Sequence, residues 1–309
     1  MDYGAHLPVI GFDHQPFSLD KLLEYTRVAK DLGFRAIAAN DHLVSPRPWL
    51  DSPTALAAVM PESRGMDLIT TVALPVVRGP VPMAKTLAAI DILSGGRLMV
   101  GVGPGSSNRD YAAVGLDFEE RWKRLDEAVL ALRALWRKDG ISFVGRFYST
   151  DGIELEPYPA QQSGPPIWIG SWGSDAGMRR VARLADGWLA SAIHGTPASF
   201  SQAKARLEES LVKVGKEPDA FPNAMATMWL YITEDRKEAE RVIENMVPSD
   251  WQGQEEFRQQ FLVASAEECG QRLDAYAAAG VQRTYLWPLK DEIRQLELFQ
   301  EKVAPLVRE

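Results

Sequence analysis

Eight short apolar runs alternate with helical periodicities along this 309-residue chain, and that alternation constrains the fold more than any other feature. The runs are Tyr3–Leu7, Arg35–Ala39, Leu68–Leu74, Leu98–Val102, Pro166–Ile169, Gly187–Ala190, Ala224–Ile232 and Arg283–Trp287. Between most of them apolar residues recur at three- and four-residue steps, as in Leu125, Val129, Leu132 and Leu135. That spacing marks a helix with one buried face. Continuously apolar strands are buried on both faces, which implies a parallel sheet covered by helices. Eight such units predict an α/β fold, a closed TIM-type β/α barrel forming one domain over residues 1–309. Two segments break the rhythm. Residues 139–165 read as a hairpin, Ile141–Val144 against Phe147–Ser149, with a Pro-rich return. Residues 248–265 read as a Pro/Asp/Gln-rich connector. Both insertions are expected at the barrel mouth.

Composition narrows the partners. The net charge is −8 and no basic run is present, which argues against nucleic acid and anionic membrane surfaces. The single Cys269 excludes an intramolecular disulfide and fits a reducing, cytoplasmic setting. The opening MDYGAHLPVIG has no cationic segment or long apolar core, so no signal peptide is expected. No apolar run reaches the length of a membrane span. The four histidines show no HExxH or comparable spacing, so no metal is expected.

Barrel enzymes place chemistry at the carboxyl ends of their strands. The second strand ends Ala38-Ala39-Asn40-Asp41-His42. A histidine exchanges protons near neutral pH, and a neighbouring carboxylate can fix its tautomer. An isolated Asp-His pair is more often a polar strand cap. The fourth strand runs into Gly101-Val102-Gly103-Pro104-Gly105-Ser106-Ser107. Amides and hydroxyls of such a loop can cradle an anion, while a tight β-to-α connection explains the glycines equally well. Asn108 stands where a dinucleotide fingerprint needs its third glycine, so that motif is absent. A second glycine-rich strand exit is Gly170-Ser171-Trp172-Gly173, with Ser174 capping the next helix; phosphate binding and simple capping are compatible there. His6, His194, Trp49 and Trp287 fall near strand ends on the mouth side and are candidates for a substrate pocket. Each has a plainer reading, as a hydrogen-bonded loop histidine or a core tryptophan.

The stretch from Ala84 to Glu127 resembles the signature region of the luciferase-like flavin- and deazaflavin-dependent oxidoreductases. The matching residues are Ala84-Lys85, Ile90-Asp91-Ile92-Leu93-Ser94 with Gly96-Arg97, the Gly101–Gly105 loop, Asp110-Tyr111 and Glu120-Arg121. The likeness extends over nearly the whole chain. It implies hydride transfer between deazaflavin coenzyme F-420 and a small organic substrate, because the deazaflavin branch carries Asp-His where Asp41-His42 stand. Asp41 is then expected to touch the cofactor and orient His42, and His42 to exchange the proton. The resemblance also implies a cis peptide at Thr71–Val72 supporting the ring. Gly103, Pro104, Gly105, Ser106 and Ser107, with Gly170, Ser171, Trp172 and Gly173, are expected on the phosphate side. Arg47, Arg78 and Arg109 are expected toward the coenzyme's acidic tail. Sugar-phosphate dehydrogenases of that branch carry a catalytic Glu where Ser106 stands, which argues against their reaction. The alternative is an FMN-dependent monooxygenase using oxygen and a flavin reductase partner. A non-catalytic binding barrel is a third reading, opposed by the glycine loops and Asp41-His42. A homodimer is the family's implied assembly.

Overall fold

In a computed structural model, which describes residues 1–11, 16–246 and 260–307, with the side chains of His194 and Met246 excepted, strands and helices alternate as the sequence pattern requires. The strands are β1 (Asp2–His6), β2 (Ala36–Ala39), β3 (Asp67–Thr70), β4 (Leu98–Val102), β5 (Ile167–Gly170), β6 (Gly187–Ser191), β7 (Asn223–Ile232), β8 (Leu262–Ala264) and β9 (Arg283–Pro288). The helices of interest are α1 (Leu19–Asp31), α2 (Ser52–Ala58), α3 (Pro75–Arg78), α4 (Pro80–Ser94), α5 (Asn108–Ala113), α6 (Arg121–Trp136), α7 (Asp175–Leu184), α8 (Pro197–Lys213), α9 (Arg236–Met246), α10 (Ala266–Ala278) and α11 (Glu292–Leu298). Strands β1 to β7 pair in parallel in chain order; β9 joins β7 to β1 and closes an eight-stranded ring. This is the predicted TIM-type barrel.

Two apolar layers follow from the strand alternation. Outward-facing residues meet the helices in a large core, as with Ile37, Leu68, Val100 and Ile169. Inward-facing residues fill the barrel: Ala36, Ala38, Ile69, Trp168, Leu189, Ala224 and Tyr285. Small and large side chains interleave there, as a narrow barrel demands. The packing also dictates glycine at position 101, where a Cβ would sit 2.0 Å from the Thr70 carbonyl oxygen.

Helix α4 shows how local signals set the boundaries. It starts on Pro80, after Gly79 at φ 79°, and stops at Gly95 in the left-handed region at φ 75°. Proline suits a first turn that has no use for its amide, and glycine suits a left-handed cap.

Three features depart from the expected plan. First, β8 is a ninth strand inside the segment expected to be a connector; it pairs with Leu230–Ile232 of β7, outside the ring. The part of that connector from 248 to 259 lies outside the described residues. Second, β7 carries one extra residue against β9 between Met225 and Met228, with Thr227 at φ 57°. A bulge of this kind bends a strand, and beyond it β7 resumes its pairing with β9, Trp229 opposite Trp287. Third, segment 139–165 makes its contacts on the barrel's flank rather than over the mouth, correcting that expectation. The Glu127 carboxylate of α6 accepts from the amides of Arg146, Phe147 and Tyr148. Gln161 donates to buried Asp91 of α4 through its amide at 2.9 Å and its Nε2 at 2.7 Å. The hairpin reduces to a single bridge between Val144 and Ser149.

Candidate active site

Two residues further along each inward-facing row, the barrel interior changes character. The rows that supply Ile69, Trp168, Leu189, Ala224 and Tyr285 continue as Thr71, Gly170, Ser191, Ala226 and Trp287, and β1 ends on His6. This layer of small and polar residues is the floor of the mouth. Three buried polar atoms around it have no hydrogen-bond partner: His6 Nε2, Thr71 Oγ1 and Trp229 Nε1. Buried polar groups are ordinarily paired, so a cluster of orphans at the functional end of a barrel points to a ligand.

The Thr71–Val72 peptide is cis, at the bond the family resemblance indicated. It seats Val72 between the two glycine exits. A Cβ on Gly103 would lie 2.7 Å from Val72 Cγ2, and one on Gly170 would lie 3.1 Å from Val72 Cγ1. Thr71, Val72, Gly103 and Gly170 thus form one continuous surface. Pro104 is held from behind, its carbonyl accepting from the Tyr111 hydroxyl. Gly105 adopts φ 82°, while Ser106 is exposed and Ser107 accepts from the Arg109 amide at 3.2 Å. On the other exit, Ser171 is buried, and its carbonyl accepts from Trp188 Nε1 at 3.0 Å. Trp172 is exposed, and Gly173 turns at φ 90°.

His42 stands beside this floor, but its partner is not the expected one. Its Nδ1 lies 2.7 Å from Asp110 Oδ2 on α5. The other oxygen of Asp110 accepts from the amides of Leu43 at 3.0 Å and Val44 at 2.7 Å. Asp110 is fully buried, whereas the His42 side chain keeps 21% of its surface open. Asp41 points elsewhere. It makes a bidentate pair with Arg78, Nε to Oδ2 at 2.7 Å and Nη2 to Oδ1 at 2.6 Å. Arg78 also holds Asp51 at 2.5 Å. Desolvation lowers the Arg78 pKa, but the hydrogen bonds and charges of Asp41 and Asp51 outweigh it and raise the pKa overall. The expectation that Asp41 orients His42 is therefore corrected. Asp41 ties the strand end to α3 and the cap of α2, because a buried carboxylate and a guanidinium fork satisfy each other best. Arg78 is consumed by the same clamp. Arg109 is exposed, and Arg47 donates to the Asn245 carbonyl at 2.8 Å.

An aromatic chain links the two described histidines of the mouth. The His42 ring meets Trp49 edge-on at 4.5 Å, Trp49 meets Trp287 at 6.1 Å, and Trp287 stacks on His6 at 3.8 Å. Trp49 is fixed by its Nε1, which donates to the Asn40 carbonyl at 3.0 Å. His6 is fully buried, and its Nδ1 donates to the Leu7 carbonyl at 2.8 Å. Burial pushes its pKa down to about 3 despite that hydrogen bond, so the ring is neutral. His194 lies in a one-turn helix after β6, and its side chain is outside the described residues. The signal that could have found Asp110 was present: an acidic residue in the first turn of the helix that follows the glycine loop.

A sequence model of the luciferase-like monooxygenases matches residues 5–283, and the chain belongs to that family. It is thus an oxidoreductase. Over 327 residues, 95% of this chain and 96% of its relative, it is 26% identical to an F420-dependent glucose-6-phosphate dehydrogenase of Nocardia farcinica. Over 189 residues, 58% of this chain and 51% of the relative, it is 33% identical to an F420-dependent hydroxymycolic acid dehydrogenase of Mycobacterium tuberculosis. Its fold superposes on monooxygenase RslO1 from Streptomyces bottropensis with a TM-score of 0.85 and 23% identity, covering 99% of each chain. No helix among the described residues is long and apolar enough to cross a membrane.

Proposed function

We propose that the protein transfers hydride between deazaflavin coenzyme F-420 and a small organic substrate at the mouth of the barrel. The observation that carries this reading is the floor itself, with Val72 seated between Gly103 and Gly170 beside the orphaned Thr71 hydroxyl. Side chains have been removed where a flat ring must lie close to backbone, and polar atoms are left for it to meet. The residues therefore fit a deazaflavin. The F420-dependent activities in the names of the two relatives support the same choice. Bound there, a deazaflavin supplies a hydride-carrying carbon that reacts poorly with oxygen, and the protein supplies placement and proton management. The glycine exits Gly103–Ser107 and Gly170–Gly173 hold the phosphate side. His42, anchored through Nδ1, presents its other nitrogen to take the proton from a substrate hydroxyl, or to return it to a carbonyl oxygen in the reverse direction. Trp49 and Trp287 give the pocket an apolar, aromatic wall. Ser106 leaves the site without the carboxylate of the sugar-phosphate enzymes, so the substrate is a different alcohol or carbonyl compound. The single buried Cys269 suits a cytoplasmic setting, and a homodimer is the assembly the family implies.

FMN is the alternative cofactor, supported by the family's monooxygenase members. The two readings separate in an anaerobic assay. The expected result is substrate-dependent bleaching or recovery of F-420 absorbance across a panel of alcohols, aldehydes and ketones, without oxygen. Turnover that needs reduced FMN and consumes oxygen would overturn the deazaflavin reading.

A further inference from the structure

Three donors from one short stretch converge on Asp110: His42 Nδ1, Leu43 N and Val44 N. They divide between its oxygens, with the ring on Oδ2 and both amides on Oδ1. The residue is fully buried. An ionised carboxylate only accepts, so Nδ1 carries a hydrogen, and in the neutral ring Nε2 is the bare nitrogen. We propose that Asp110 is the positioning residue that sets the tautomer of His42, and that the two turn amides fix which way any group at this position faces. The inference rests on the reading of His42 as the proton-exchanging group.

The argument comes from what each partner is able to reverse. Backbone amides are permanent donors, whereas an imidazole nitrogen is a donor or an acceptor according to tautomer. An Asn at 110 nearly matches Asp in shape but has one oxygen and one NH2. With its oxygen toward Leu43 N and Val44 N, all three contacts survive, provided that His42 Nδ1 becomes the acceptor. With its oxygen toward the ring, an NH2 faces two N–H donors, and both amides lose their acceptor. The first arrangement is the one the turn selects. Asp110→Asn therefore keeps the turn and moves the histidine hydrogen to Nε2, which then has no lone pair to receive a substrate proton.

The test is Asp110→Asn in uniformly 15N-histidine-labelled protein, with the His42 ring signals assigned by their loss in His42→Gln. At alkaline pH, wild type is expected to show a protonated Nδ1 and a bare Nε2, and the variant the reverse, with a melting temperature within a few degrees. Turnover of F-420, measured with whichever panel alcohol the wild type oxidises fastest, is expected to fall by roughly two to four powers of ten and by no more than in His42→Ala, as for a catalytic histidine held in the wrong tautomer. Asp110→Glu, which keeps an acceptor-only group, should retain the wild-type tautomer. A variant Asn protein that keeps hydrogen on Nδ1 overturns the proposal. A reversed tautomer with undiminished turnover upholds it and removes His42 from the reaction instead.

Discussion

The two ends of the barrel differ in how they hold charge and unpaired polar atoms. At the end where the strands start, Arg283 reaches Asp67 at 2.7 Å and Asp2 at 3.5 Å, closing the interior below Tyr285. Burial raises the Tyr285 hydroxyl to about 12, against the pull of the Arg283 charge. Charge at this end is matched by charge, and the fold consumes it. At the mouth, His6, Thr71 and Trp229 each keep a buried polar atom unpaired. Unpaired buried groups lower stability, and proteins retain them where function uses them. The Tyr285 hydroxyl at the first end also lacks a hydrogen-bond partner, but it faces the Arg283 charge; it is the gathering of three such atoms, rather than their mere presence, that marks the mouth.

Substitutions at the two ends should separate activity from stability. The largest effect is expected from His42→Ala, which should lower turnover by roughly two to four powers of ten, the range for lost acid–base catalysis. Its melting temperature should fall by about a few degrees, because buried Asp110 Oδ2 loses its donor; steady-state rates beside a thermal melt check both. At the opposite end, Arg283→Met should cost about 1–3 kcal/mol of unfolding free energy, because two carboxylates lose their partner. Its activity at low temperature should match wild type, and urea titration with a rate assay would show a coupling between the ends if this fails. His6 offers a pH test. Its pKa is 6.5 when unfolded and about 3 when folded. Between these values the unfolded chain binds a proton that the folded chain refuses, so the contribution of His6 to stability falls as pH drops from 6.5 toward 3. His6→Phe should flatten the acid side of the melting-temperature profile, and parallel profiles would show that His6 titrates freely. The smallest effect is expected at Thr71→Val, which removes an unpaired hydroxyl. Stability should hold or rise by up to about 1 kcal/mol, while F-420 affinity weakens by about tenfold, a 1.4 kcal/mol loss. A clear loss of stability would mean that the hydroxyl is already satisfied in the free protein.

The sequence carried the barrel because strand and helix periodicities are local. The apolar runs at Leu98–Val102 and Ile167–Gly170 announce themselves, as do the glycines that follow. His42 was legible as a strand-end histidine, and the cis bond at Thr71–Val72 only through the family. Asp110 was visible as an acidic residue after the glycine loop, but its pairing with His42 was not legible, because the two lie 68 residues apart and Asp41 is adjacent in sequence. Adjacent residues on an irregular turn point in different directions, and Arg78, 37 residues from Asp41, claims that carboxylate. Strand β8 escaped notice because three residues hold too little pattern to stand out. Position 139–165 was misplaced because a segment without helical or strand periodicity says nothing about which surface it covers. Gln161, which satisfies buried Asp91, decides that.

The central claim is most directly tested by titrating the purified apoprotein with F-420 and, separately, with FMN in oxidised and reduced forms, following fluorescence quenching. Tight, saturable binding of F-420, with FMN bound weakly in either form, is the predicted result. Preference for FMN would contradict it and make oxygen the co-substrate.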